Sequence, residues 1–154
     1  MSQKQWGNIT WILFHSLAES IDPNLFIQAK PLVILFINNT CKNLPCPICS
    51  EHAVSLMKSA DVKNITSKAD LIEFLRQFHN IVNINTNKEN FEKIDIIKKY
   101  KNPKILLIIS EFNKIYSVNY NNFNTNSMIR SNNRKFFLQS NNNLLKQILK
   151  FCKL

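Results

Sequence analysis

The stretch Leu44-Pro45-Cys46-Pro47-Ile48-Cys49 constrains this chain more than any other. The first proline ends whatever helix precedes it, and the second is well placed to begin another. Proline suits the first helical position, because its missing N–H would find no intrahelical partner there. Ala53, Leu56 and Met57 follow as good helix formers, so a helix is expected from Pro47 to about Ser59. That reading puts Cys46 at the N-cap and Cys49 in the first turn. Two thiols so placed face each other closely enough to close a disulfide. The unpaired N–H groups and the helix dipole beside them favour a thiolate, the form that exchanges with other disulfides. Residues 41–52 hold three of the four cysteines and one of the three histidines. A competing reading is a metal site, since Cys41, Cys46, Cys49 and His52 have the count of a tetrahedral zinc centre.

Around this stretch the first hundred residues have helical periodicity. Residues 6–20 place Ile9, Ile12, Leu13, Ser16 and Leu17 on one face, with Trp11 and His15 four apart on a neighbouring stripe. Asp22-Pro23 breaks the chain. Residues 24–39 resume with Ile34, Ile37 and Cys41 sharing a face, and Pro31 marks a kink or the start of the main part. Ser67 reads as an N-cap with Asp70 completing a capping box, followed by the stripe Leu71, Phe74, Leu75, Phe78, Val82. A short fifth helix at about 91–100 carries Ile94, Ile97 and Tyr100. The expected fold is mainly α, a four-helix bundle with a short fifth helix.

After Asn102-Pro103 the texture changes. Residues 104–110 and 114–119 are β-rich runs that suggest a hairpin, 121–134 is Asn/Ser-rich and suggests a loop, and Asn143 suggests the cap of a last helix. The division expected is therefore a helical domain, 1–101, and a small α+β extension, 102–154. Residues 1–100 carry eleven Lys/Arg against nine Asp/Glu, whereas 101–154 carry nine against one. A solvated basic face is preferred to a nucleic-acid site, since no basic stripe interleaved with aromatics accompanies it. Lysine outnumbers arginine seventeen to three, so part of the charge follows from AT-rich codons. No run approaches the roughly 18 apolar residues of a membrane span, and the N-terminus has neither a signal-peptide core nor transit-peptide character.

The ordered set Trp6-Gly7, Trp11, His15, Cys46-Pro47-Ile48-Cys49 and His79-Asn80-Ile81-Val82-Asn83 resembles the Erv/ALR flavin-linked sulfhydryl oxidases across residues 6–100. Leu44-Pro45-Cys46-Pro47 with His52-Ala53 looks most like the short forms carried by large cytoplasmic DNA viruses. The resemblance implies an FAD-dependent thiol oxidase. Cys49 would sit against the flavin, Cys46 would exchange with substrate, and molecular oxygen would take the electrons to give hydrogen peroxide. It also implies FAD contacts from Gly7, Trp11, His15, His79, Asn80, Val82, Asn83, Lys88 and Tyr100. The implied partners are a thiol-containing protein substrate or small redox carrier protein, and a second copy of the chain in a homodimer built on the first helices. The implied setting is the host cytoplasm, its virus factory, or the virion. Asn8 stands where the cellular enzymes have an arginine, and Arg76 and Lys93 stand where they have a structural cysteine pair. No second Cys-x-x-Cys is present to act as a shuttle. Read alone, Cys41 and Cys152 are small apolar residues, and His52 could bond the turn or tune the dyad. The competing function is a zinc-stabilised helical binding module with a basic tail.

Overall fold

Helix starts in the first hundred residues follow the capping chemistry of the sequence. In this computed structural model, which describes residues 3–117 and 125–154 and the side chains of 4–117 and 133–154, Cys46 is the N-cap of a helix opened by Pro47, and its sulfur accepts the N–H of Cys49. Ser67 and Asp70 form the full capping box. Each cap satisfies N–H groups that the first helical turn leaves without partners.

The described helices are α1 (Gln3–Ser20), α2 (Phe26–Lys42), α3 (Pro47–Ser59), α4 (Lys68–Asn85), α5 (Lys93–Lys99), α6 (Ile105–Tyr116) and α7 (Thr125–Leu149). A 3₁₀ turn, Pro23–Leu25, leads into α2 and is capped by Asp22. Pro31 lies inside α2. In α5 the inward positions are Ile96 and Tyr100, four apart, while Ile94 and Ile97 point outward.

Helix α1 packs against α4 on one side and α6 on the other, and α2 packs against α3 and α7. One hydrophobic core joins Leu13, Leu17, Phe36, Ile37, Leu71 and Leu75 to Phe112, Tyr116, Leu145 and Ile148. Along α1, Lys4, Gln5 and Asn8 are exposed, and from Ile9 to Ser20 only Trp11, Ile12 and Glu19 are partly so. Helix α2 does keep an outward apolar stripe, Ile27, Pro31 and Leu35.

The C-terminal third departs from expectation. The expected hairpin over 104–110 and 114–119 is helix α6 up to Tyr116, with 118–119 outside the described residues. No strand occurs among the described residues; the nearest feature is a single bridge between Ile21 and Cys152. The run Ile105–Ile109 suits a strand by β-branching, but its burial has a period near 3.6. Ile105, Phe112 and Tyr116 are buried while Leu106 and Leu107 stay exposed. Tertiary packing overrode a weak local preference. The stretch expected as loop is helical from Thr125 onward, and Asn143 lies mid-helix in α7.

The extension docks through two matching contacts. Thr10 and Thr40 each donate their hydroxyl proton to the carbonyl four residues back, Trp6 at 2.6 Å and Phe36 at 2.9 Å. The lone pairs left on those oxygens accept from Tyr116 at 2.7 Å and from Asn141 Nδ2 at 3.1 Å. At the chain end, Asp22 N–H donates to Phe151 O and Lys153 N–H to Ser20 O, each at 2.8 Å.

Candidate active site

Cys46 and Cys49 are joined in a disulfide with their Cα atoms 5.2 Å apart. Both are half-buried, and Pro47 and Ile48 between them are exposed, Ile48 to 65%. The N–H of Cys49 donates to Cys46 Sγ at 3.3 Å, so the helix N-terminus favours charge on that sulfur when it is reduced. Ser50 fixes the turn from the other side, donating its hydroxyl to the carbonyl of Cys41 at 2.7 Å. That carbonyl belongs to the end of α2, which ties the dyad to the bundle.

Cys41 itself is 2% exposed, and burial pushes its thiol up to about 12. Among the described residues, no group of three or more His, Cys, Asp and Glu side chains is placed to hold a metal ion. Cys41, Cys46, Cys49 and His52 therefore do not form the zinc centre that their count allowed. His52 is exposed on α3.

A second cluster, between α1, α4 and the start and end of α5, is a stack of rings. Trp11 and His79 lie face to face with centroids 4.0 Å apart and planes 7° from parallel. His15 stacks on Tyr100 at 4.6 Å, and Phe91 lies against His79 at 4.9 Å. Phe78 meets Trp11 edge-on. His15 Nε2 and His79 Nδ1 share a hydrogen bond of 3.0 Å. Burial, with the charge of Lys99, lowers His15 to about 4. Burial, then His15, Lys99 and Lys88, lowers His79 to about 3. Both rings are thus neutral near pH 7. His15 Nδ1 is buried with no hydrogen-bond partner, an unusual state for a polar atom at such depth.

Beside the rings opens a cleft of about 660 Å³ lined by Glu89, Asn90, Phe91, Asp95, Lys98 and Lys99. Lys99 Nζ sits 4.8 Å from the Phe91 ring centre and 5.6 Å from that of Tyr100. The helix-end asparagines shape the rim. Asn80 accepts the N–H of Phe91 at 2.8 Å and donates to its carbonyl at 2.9 Å. Asn83 Nδ2 donates to Glu89 O at 3.0 Å. Asn87 adopts φ of 55°, a left-handed conformation that asparagine tolerates. It lets the chain turn so that Lys88 N–H reaches Asn83 O at 2.8 Å.

Of the residues singled out in the sequence, Trp11, His15, His79 and Tyr100 converge on one cluster. Asn80 and Asn83 act on the loop beside it. Lys88 is exposed, yet its charge is felt at His79. Val82 is half-buried on α4. A Cβ at Gly7 would meet nothing within 4 Å, so no close approach requires glycine there. Phe91, Lys99 and the Glu73–Arg76 pair were not anticipated. The signal for Phe91 was its place just before the Glu92–Asp95 capping box of α5.

The sequence profile of the Erv1 / Alr family matches residues 8–101. A protein of Invertebrate iridescent virus 3, named as a candidate FAD-linked sulfhydryl oxidase (096R), is 30% identical over 101 residues, covering 65% of this chain and 68% of its own length. A similarly named protein of Acanthamoeba polyphaga mimivirus (R368) is 29% identical over 111 residues, covering 68% and 76%. The matched region contains the dyad, the ring stack and the cleft. It stops before α6.

Proposed function

The chain belongs to the Erv1 / Alr family, and on that premise we propose that it works as an FAD-dependent thiol oxidase whose reactive disulfide is Cys46–Cys49. The observation that carries this reading is the half-buried Cys46–Cys49 disulfide at a helix N-terminus, with Pro47 and Ile48 exposed between the cysteines, within the same matched region as the ring stack. The residues fit the cofactor. The site offers flat faces from Trp11, His15, His79, Phe91 and Tyr100, cations from Lys88, Lys98 and Lys99, and the unpartnered His15 Nδ1. Bound FAD would supply what side chains lack, a carrier that takes the two electrons from the dyad and passes them to molecular oxygen, with hydrogen peroxide as the product.

The chain's own residues account for the thiol steps. A substrate thiolate attacks Cys46 Sγ, forming a mixed disulfide and releasing Cys49 as a thiolate. A second substrate thiolate then attacks the substrate sulfur of that mixed disulfide. The substrate leaves as a disulfide, and Cys46 departs as a thiolate stabilised by the N–H of Cys49. Two substrate thiols have lost two electrons and two protons, and the dyad has gained two electrons. His15 and His79, being neutral, can each hold or accept a hydrogen bond at the ring stack without adding charge. Asn80 and Asn83 position the loop, and Gly7 and Val82 stand one helical turn along α1 and α4 from Trp11 and His79.

The relatives are viral proteins, and no helix among the described residues is long and apolar enough to cross a membrane. The proposed setting is the host cytoplasm or the virion, and the proposed substrate is a protein dithiol or a small redox carrier. A homodimer would be built on the α2 stripe, because α1 is covered by α4 and α6. The direct test is oxygen uptake driven by a dithiol. Purified protein should bind FAD and consume oxygen, and Cys46→Ser and Cys49→Ser should each fall to background while keeping the flavin. Near-normal turnover in either variant would rule out the dyad as the redox centre.

A further inference from the structure

Phe91 walls both the ring stack and the cleft, yet it lies in the connection between α4 and α5, where no helix fixes it. Side chains do so instead. Besides the two bonds from Asn80, its carbonyl accepts Arg76 Nη1 at 2.8 Å. The rest of that guanidinium is committed to Glu73, through Nε to Oε2 at 2.9 Å and Nη2 to Oε1 at 2.7 Å. Gln77 also donates to Glu73 at 2.9 Å. The two charged side chains retain only 18% and 28% exposure, so water screens them less than a typical surface pair. The charges continue onto α5. Lys93, its first residue, attracts the Glu73 carboxylate, and Glu92 attracts Arg76.

We infer that Arg76, braced by Glu73, forms an ionic staple that clamps Phe91 and the start of α5 onto α4, and thereby sets how tightly the cleft retains its ligand. The ligand named here, FAD, rests on the function proposed above; the clamp does not. These are positioning residues, since none of them touches the dyad. A staple made of charges is inert to the thiols among which such an enzyme works, and it weakens as salt screens it.

The test uses the FAD-loaded protein and follows flavin release by fluorescence on dilution, at about 0.05 M and about 1 M NaCl. Loss of one charge-assisted bond network corresponds to release about tenfold faster in Arg76→Met at low salt. Salt should accelerate release from both proteins, since the lysines beside the cleft are screened in each, but the unaltered protein should respond more, so that the gap between them narrows. Arg76→Lys should fall between them, because lysine keeps the charge but cannot bond Glu73 on two nitrogens and Phe91 with a third. Hydrogen exchange on the flavin-free protein supplies a second readout. Amides in 86–92 should exchange about tenfold faster in Arg76→Met and Glu73→Gln, with α1 unchanged. Unchanged release or unchanged exchange in Arg76→Met would overturn the staple, and so would equal acceleration in every helix. If the unaltered protein retained no flavin, the oxidase reading would fall, while hydrogen exchange would still decide the staple.

Discussion

Acidification should destabilise this protein well before its carboxylates titrate, and the cause is the His15–His79 pair. Both rings are buried and held neutral, at about 4 and about 3 against 6.5 when unfolded. A folded-state value below the unfolded one gives stability that is present above 6.5 and lost as pH falls toward the folded values. From about pH 7 to about pH 5 the unfolded chain takes up a proton at each site and the folded chain takes up almost none. That amounts to about 2 kcal/mol for each histidine, or about 4 kcal/mol together. The coupling between the rings does not alter the sum, because both stay neutral in the folded state across this window. The lowered carboxylates, Glu73 at about 2 and Asp70, begin to lose their contribution only as pH falls into the ordinary carboxylate range and on toward their folded values. The assay is urea unfolding followed by far-ultraviolet circular dichroism at several pH values, in a His52→Gln background that leaves this pair as the sole histidines. A change below about 1 kcal/mol over this window would refute the burial argument.

Other expectations follow from the packing and the thiols. Phe112→Ala should cost about 3–5 kcal/mol by opening a cavity between α6 and α1, and Tyr116→Phe about 1 kcal/mol by removing the bond to Thr10; thermal or urea unfolding reads both. Cys41 and Cys152 are held as protonated thiols, at about 12 and about 11. Cys41→Ser with Cys152→Ser should therefore retain most activity toward a small dithiol and a protein dithiol alike. Loss of the protein activity alone would identify a relay. Light scattering should find a dimer that Leu35→Glu splits into monomers, if the α2 stripe is the interface.

What the sequence discloses about this fold tracks how local the cause is. Cys46, Pro47, Ser67 and Asp70 act within one helical turn, so residue type and spacing suffice to place their helices. The convergence of Trp11 and His15 from α1 with His79 from α4 is non-local; it came from the family resemblance, not from periodicity. Helices α6 and α7 are set by long-range burial. Asn141 precedes the helix cap expected at Asn143, yet it lies buried inside α7, where Thr40 across the bundle accepts its N–H. The short fifth helix expected at about 91–100 begins only at Lys93, and Phe91 is held in the loop before it by Arg76 and Asn80, contacts that span 15 and 11 residues.

The central claim is that thiol electrons enter through Cys46–Cys49. The most direct measurement adds one equivalent of dithiol to the FAD-loaded protein without oxygen and follows the visible flavin band. The account predicts bleaching in the unaltered protein and none in Cys46→Ser or Cys49→Ser. Bleaching of either variant at the rate of the unaltered protein would contradict it.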